Sequence, residues 1–420
     1  MNYYIWTIGC QMNKADSLKL ADSLEKLGYA QAQSPEDADI VVCNSCVVRQ
    51  SAENRVASKL GALKAIKKSN PDALIALMGC MVGPEFHELH RHFPHVDMFM
   101  SPQQFGPLLD LASKRISNAA AVDYVPTEVP PATFVPIIHG CNNFCTYCIV
   151  PYRRGREISR PIVDVVDEVR SMIERGAKEV TLLGQNVDSY GHDLLEKPDL
   201  ADLLTTLNDV DGLQRIRFLT SHPKDMSDRL IETIAKLDKV CRHISLPFQA
   251  GDDDILAAMH RSYTIDQFRQ LIGRIRKVMP NVAISTDLIV GFPGETDAQF
   301  EKSYQLLEEL KFDMVHVAMY SPRAGTVAAK DMVDDVMPEA KKERLDRVEV
   351  LQEKIETDIN TRLLDSTVKV LVEGNKKGRW YGRTATDKLV FFDDSRNLLG
   401  QTVEIKITKT SPWSLQGTLV

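Results

Sequence analysis

Apolar residues recur along this chain in three different rhythms. From residue 1 to about 118, short β-branched runs alternate with helix-period stretches. Tyr3–Ile8, Asp39–Cys43 and Ala73–Met78 read as buried strands, and Leu18–Leu27 and Ala52–Lys67 as helices. Such alternation predicts a doubly wound parallel α/β sheet. Residues 119–131, with three alanines and isolated prolines, read as a linker. Over 132–358 the alternation resumes through six strand candidates: Val135–His139, Glu179–Leu183, Arg215–Leu219, His243–Leu246, Ala283–Val290 and Met314–Met319. Helical patterns such as Ile162–Glu174 and Asp266–Val278 lie between them, so a partial (β/α)6 barrel is predicted, with active residues at the strand C-termini. A charged helical stretch, Pro338–Leu364, leads into the last segment, residues 359–420, where the period becomes two. Thr367–Glu373, Arg379–Arg383, Lys388–Phe392, Thr402–Thr408 and Ser414–Leu419 predict a small antiparallel β-barrel of the OB type.

Composition narrows the setting. At 420 residues the chain is too long for one ordinary core. No apolar run reaches the roughly 18 residues of a membrane span. Met1-Asn-Tyr-Tyr-Ile-Trp enters a strand pattern at once, without a basic n-region or a transit segment, so a cytoplasmic protein is expected. The net charge of −7 is unevenly spread. Residues 366–420 carry nine Lys/Arg against five Asp/Glu, or +4, which leaves −11 for the rest. A basic module on an acidic body suits phosphate binding.

The sharpest chemical signal is Gly140-Cys-Asn-Asn-Phe-Cys-Thr-Tyr-Cys148. Cys141, Cys145 and Cys148 can hold three irons of a 4Fe-4S cube and leave the fourth open, because a cube usually takes four thiolates. A zinc site closed by His139 is the alternative, although zinc usually takes two Cys pairs. A second trio is spaced by one βα unit each: Cys10, Cys46 and Cys80 all follow strand candidates. In a parallel sheet the strand C-termini share one edge, where ligands collect. Buried structural cysteines are the alternative. Gly9 and Gly79, which let the backbone come close, favour a second cluster site. Cys43 and Cys241 read as ordinary buried thiols.

Taken together, Thr7–Asn13, Asn44–Arg49 with Ala52–Val56, Met78–Cys80, His139–Cys148 through Pro151–Pro161 and Leu183–Tyr190 resemble the methylthiotransferase family of radical S-adenosylmethionine (SAM) enzymes. Ser221–Pro223, Leu246–Gln249, Gly291–Thr296 and Tyr320–Arg323 extend the likeness, and Trp413–Gly417 is similar to the close of a TRAM domain, a small RNA-binding barrel. The chain is closely similar to the tRNA 2-methylthioadenosine synthase type. Arg323-Ala324-Gly325, where relatives often have Arg-Pro-Gly, is a departure of local turn stiffness.

The resemblance implies an N-terminal methylthiotransferase domain, a radical SAM domain and a TRAM domain. It implies two 4Fe-4S clusters, a SAM-binding one on Cys141, Cys145 and Cys148 and an auxiliary one on Cys10, Cys46 and Cys80. Two SAM molecules serve each turnover, one cleaved to a 5′-deoxyadenosyl radical and one donating methyl to sulfide or polysulfide on the auxiliary cluster. The methylthio group goes to C2 of N6-isopentenyladenosine 37, in the anticodon stem-loop of tRNA. An unactivated C–H bond gives side-chain acids and bases no handle, so a radical cofactor suits the task and no protein acid or base is assigned. The expected geometry is two open irons facing one dry cleft that admits a flipped-out purine. Further implied partners are a low-potential donor such as flavodoxin or ferredoxin and iron–sulfur assembly proteins; a monomer without membrane contact is expected. The same chemistry on threonylcarbamoyl-adenosine or a ribosomal-protein aspartate stays open, as does a non-catalytic metal module that binds RNA.

By position in the family pattern, Tyr147 (through its backbone), Gly184, Gln185, Asn186, Gly291, Pro293, Gly294 and Glu295 are expected around SAM. For Glu295 an ordinary place in the first helical turn is the alternative. Arg154, Arg160, Arg379, Trp380, Arg383, Lys409 and Trp413 are expected RNA contacts, by phosphate attraction and stacking. Phe391 is expected in the core of the C-terminal barrel.

Overall fold

The computed structural model describes residues 1–47, 50–83, 86–116 and 129–420. Val48 and Arg49 of the Asn44–Arg49 motif, and residues 119–128 of the expected linker, lie outside the described residues. The chain forms two compact units. One joins the described residues up to 116 with 139–142 and 149–156; the other comprises 129–138, 143–148 and 157–420.

The first unit is built on a five-stranded parallel sheet in the order Ala30–Gln31, Asn2–Thr7, Ile40–Ser45, Leu74–Gly79, Met98–Met100. Its central strands are apolar on both faces because both faces are covered. Ile40, Val42, Leu74 and Ala76 pack with Leu20 and Leu24 of helix Gln11–Lys26 and Leu108 of helix Gly106–Ile116. Val41, Cys43, Ile75 and Leu77 pack on the other side, with Val56, Leu60 and Leu63 of helix Gln50–Ser69. Cys43 is therefore a core thiol, pushed up to about 12 by burial.

In the second unit, six parallel strands run in sequence order in two three-stranded sheets. Ala132–Pro136, Glu179–Leu183 and Arg215–Phe218 form one; His243–Ser245, Ala283–Val290 and Met314–Met319 form the other. A bridge between Ile216 and Val240 and the Ser221 N–H donated to Ser245 O link them. The helices cover the outside, and Val348, Leu351 and Ile355 of helix Pro338–Thr361 join the same core.

Five further strands close a small barrel: Thr367–Lys376, Arg379–Arg383, Leu389–Phe392, Leu415–Leu419 and Thr402–Thr410. Four of its pairings are antiparallel, but Leu389–Phe392 runs parallel to Leu415–Leu419. The alternation in Leu389–Phe392 turns Val390 and Phe392 inward. Phe391 therefore faces out, 6.2 Å from the Tyr381 ring and beneath the Arg379 guanidinium, which corrects its expected place in the core.

Candidate metal centres

Cys10, Cys46 and Cys80 stand at one edge of the first unit's sheet. Cys10 is the N-cap of helix Gln11–Lys26, Cys46 follows strand Ile40–Ser45, and Cys80 follows strand Leu74–Gly79. Buried polar side chains tie their loops together. Asn13 donates to Ile8 O (2.9 Å) and Ser45 O (2.8 Å), and Asn44 donates to Asn13 O (2.7 Å). Ser45 donates to Met78 O (2.7 Å) and accepts from the Met81 N–H. At Gly79 (φ +99°) a Cβ would lie 2.5 Å from both Asn44 Oδ1 and Ser45 O; at Gly9 (φ +122°) it would lie 2.6 Å from Cys46 Cβ. Both loops thus use a conformation and a closeness that favour glycine.

The thiols sense one another. Burial pushes Cys80 up, and the charges of Cys10 and Cys46 add to that, while Arg154 opposes it. A metal removes the penalty, because a coordinating thiol is deprotonated. Among the described residues, no three His, Cys, Asp or Glu side chains are grouped as a site for a single metal ion. A cube makes a different demand, since each iron takes its own thiolate. The soft donor set and the glycine-dependent closeness of the loops fit such a group.

Arg154 was expected to meet RNA phosphate. Its side chain is only 3% exposed, reaches Asp16 (3.3 Å) and Asn13 Oδ1 (3.0 Å), and hydrogen-bonds the Cys80 thiol. Held there, it cannot serve as a surface phosphate contact.

The other trio lies on the loop after Ile138–His139. Cys141 donates its N–H to Gly155 O (3.1 Å), and a Cβ on Gly140 (φ +76°) would fall 1.9 Å from Arg156 O. Cys145 and Cys148 form a turn, the Cys148 N–H donating to Cys145 O at 3.0 Å. Thr146 anchors that turn by donating to Ala258 O (2.8 Å). The Tyr147 ring, partly buried, packs edge-on against Phe292. Arg261, which no motif singled out, donates to the Cys145 sulfur at 3.7 Å.

Beyond strand Glu179–Leu183, Gly184 packs so closely that a Cβ would lie 2.5 Å from Ile138 Cγ2. Gln185 Oε1 and Asn186 Oδ1 are buried without a partner, and Asn186 donates to Asp225 at 2.7 Å. Two carbonyl oxygens awaiting donors suit the N–H groups of an amine. Close by in the chain, Asp188 accepts from Ser221 Oγ (2.9 Å) and the His222 N–H (3.1 Å), and burial pushes it up to about 7. Glu295 is committed structurally: it accepts from the Gly291 N–H and from Arg344, and Lys341 covers Gly291. Pro293 belongs to that turn, and the Gly294 N–H donates to Asp335.

On the C-terminal barrel, Trp413 is 54% exposed and Lys409 is exposed. Trp380 packs on the barrel core and donates Nε1–H to Asp394 O. Arg379 and Arg383 are paired with Asp393 and Asp387, and Arg160 with Glu168.

Three family models match the chain. Residues 2–101 match the Uncharacterized protein family UPF0004, 135–307 the Radical SAM superfamily and 362–420 the TRAM domain. A tRNA-2-methylthio-N(6)-dimethylallyladenosine synthase of Dehalococcoides mccartyi is 51% identical over 418 residues, covering 100% of this chain and 98% of the relative. Another, of Chloroflexus aurantiacus, is 49% identical over 422 residues, covering 99% and 91%. Among solved structures, the radical SAM methyltransferase TsrM from Kitasatospora setae, with cobalamin and a [4Fe-4S] cluster, aligns with a TM-score of 0.61 at 14% identity, covering 78% of this chain and 77% of that one. The cobalamin-dependent SAM radical enzyme OxsB aligns at 0.52 and 10%, covering 84% and 56%. At such identities the likeness is one of fold.

Proposed function

Because this chain belongs to the family of the tRNA-2-methylthio-N6-dimethylallyladenosine synthases, we propose that it inserts a methylthio group at C2 of N6-isopentenyladenosine 37 in tRNA. It is a radical SAM enzyme that uses iron–sulfur and SAM chemistry. We assign the SAM-binding cluster to Cys141, Cys145 and Cys148 and the auxiliary cluster to Cys10, Cys46 and Cys80. When bound, these groups supply the electron that cleaves SAM to a 5′-deoxyadenosyl radical and the sulfur that is transferred.

The chain's own residues hold and orient. Each trio leaves one coordination position free of protein thiolates. Gln185 Oε1 and Asn186 Oδ1, buried and unpartnered, would accept from the N–H groups of the methionyl amine. Arg261 carries positive charge against Cys145. Trp413 and Lys409 offer a stacking face and a phosphate contact on a basic module, while Arg160, Arg379 and Arg383 reach RNA only by leaving their acids. The observation that carries the reading is the gathering of Cys10, Cys46 and Cys80 at one sheet edge, where glycines give the loops their closeness.

Mass spectrometry of tRNA nucleosides from cells with and without this protein tests the substrate. The 2-methylthio form of isopentenyladenosine is expected to vanish, and its unmodified precursor to accumulate. Loss instead of the threonylcarbamoyl derivative, or no change in tRNA, would point to the alternative substrates.

A further inference from the structure

The turn at the end of helix Asp253–Ala258 grips the loop that carries Cys145. Thr146 donates its N–H to Met259 O (3.1 Å) and its hydroxyl to Ala258 O (2.8 Å). His260 donates from Nδ1 to Phe144 O (3.2 Å), and Arg261 Nη1 reaches the Cys145 sulfur at 3.7 Å. Ala258 to Arg261 thus hold Phe144, Cys145 and Thr146, residue against residue. The turn is fixed by its own backbone. The His260 N–H donates to Ala257 O (2.9 Å) and the Arg261 N–H to Leu256 O (2.8 Å), the paired bonds of a Schellman motif. Its left-handed position usually takes glycine, but here it is His260 (φ +60°). The side chain that disfavours this conformation is the one that reaches Phe144.

Arg261 is half-buried and uses every nitrogen. Besides the sulfur contact, Nε donates to Tyr263 Oη (3.0 Å) and Nη2 to Pro247 O (3.1 Å). Tyr263 is fixed in turn by donating to Phe248 O (2.9 Å), and the guanidinium lies 5.2 Å from the centre of its ring. These oxygens are neutral, and among the described residues no carboxylate accepts from Arg261. Arg154, by contrast, has Asp16 at 3.3 Å. A guanidinium keeps its proton. An N–H donor and a positive charge without a carboxylate partner therefore stand at one sulfur of the trio.

We propose that Arg261 raises the reduction potential of the SAM-binding cluster through Cys145, and that the turn from Ala258 to Arg261 holds it in place to do so. This rests on the assignment of that cluster to Cys141, Cys145 and Cys148. One electron from the low-potential donor adds one negative charge to the cluster. A cation and a hydrogen bond at a ligand sulfur stabilise the reduced form more than the oxidised form. Without Arg261 the same donor reduces a smaller share of the enzyme.

The test is a redox titration of the full-length reconstituted enzyme without SAM, followed by electron paramagnetic resonance, with iron counted in every sample. The signal of the SAM-binding cluster is the one that Cys148→Ala lacks. In Arg261→Gln the ratio of reduced to oxidised cluster at a fixed potential is expected to fall about tenfold, which is about 59 mV for one electron. Arg261→Lys should lie between, because lysine keeps the charge but not the fork. A wild-type ratio in Arg261→Gln at full iron would overturn the proposal. So would weaker SAM binding at a wild-type ratio, which would make Arg261 a SAM contact. If Arg261→Gln loses iron, Arg261→Lys decides: a lowered ratio at full iron upholds the proposal and a wild-type ratio overturns it. Loss of iron from both variants would make Arg261 a residue that retains the cluster, and would also overturn it. A wild-type enzyme with no signal that Cys148→Ala lacks would instead sink the cluster assignment, a separately visible failure.

Discussion

Gly79 shows how little freedom the loop before Cys80 has. It sits at φ +99°, and an added Cβ would meet the Asn44 side chain and the Ser45 carbonyl at 2.5 Å. Gly79→Ala is expected to cost about 1–3 kcal/mol in urea unfolding and to lower the iron content, because Cys80 is the next residue. Full iron at wild-type stability would mean that the loop tolerates a shift of Cys80. The placement of these cysteines at one sheet edge was legible in the sequence. Cys10, Cys46 and Cys80 each follow an apolar run, and a parallel sheet brings such positions to one edge. Arg154 and Arg261 were not legible in those roles. One lies in a basic run that reads as an RNA contact, the other follows His260 with no motif around it, and both depend on which side chains the fold brings near.

At the scale of elements, periodicity located the strands that matter. Glu179–Leu183, Ala283–Val290 and Met314–Met319 have the predicted bounds. The strands Ala30–Gln31 and Met98–Met100 escaped notice because two or three residues carry no readable period. The parallel closure of the C-terminal barrel escaped for another reason: strand direction is set by chain routing, not by alternation. Helix Pro338–Thr361 carries a prediction of its own. Burial pushes Glu356, which accepts from Gln352 at 2.9 Å, up to about 7. Folded protein therefore keeps this proton in a range where the unfolded chain has lost it, and the contribution to stability falls as pH rises from about 4.5 to about 7. Glu356→Gln lacks that dependence. Relative to wild type it is expected to gain on the order of 2 kcal/mol between pH 4.5 and 7.5, read from urea unfolding. A difference that does not change with pH would contradict this.

Across the second unit, the C-terminal barrel is fixed to the strands of the (β/α)6 sheet by buried charge. Arg217 pairs with Glu179 at 3.0 Å and donates to Thr384 O, while Arg215 donates to Arg383 O. Removing one partner strands the other in the interior, so Arg217→Met is expected to cost about 3–5 kcal/mol in chemical unfolding. Little change would mean that Arg215, 3.9 Å from Glu179, takes over the pairing. The barrel held in this way presents Trp413 and Lys409 to solvent. Trp413→Ala is expected to weaken binding of an anticodon stem-loop by about 1–3 kcal/mol. Lys409→Ala should lower the dependence of log Kd on log salt by about 1. Neither effect would appear if RNA binds another face. The two thiolate trios remain what the account depends on most, and an anaerobic count of iron and sulfide in wild type and Cys46→Ala, with 5′-deoxyadenosine and methylthiolated tRNA measured in the same samples, tests them most directly. About eight irons in wild type, and about half of them in Cys46→Ala with SAM cleavage retained and sulfur insertion lost, is the expected result. A single bound zinc, or methylthiolated tRNA still made by Cys46→Ala, would contradict it.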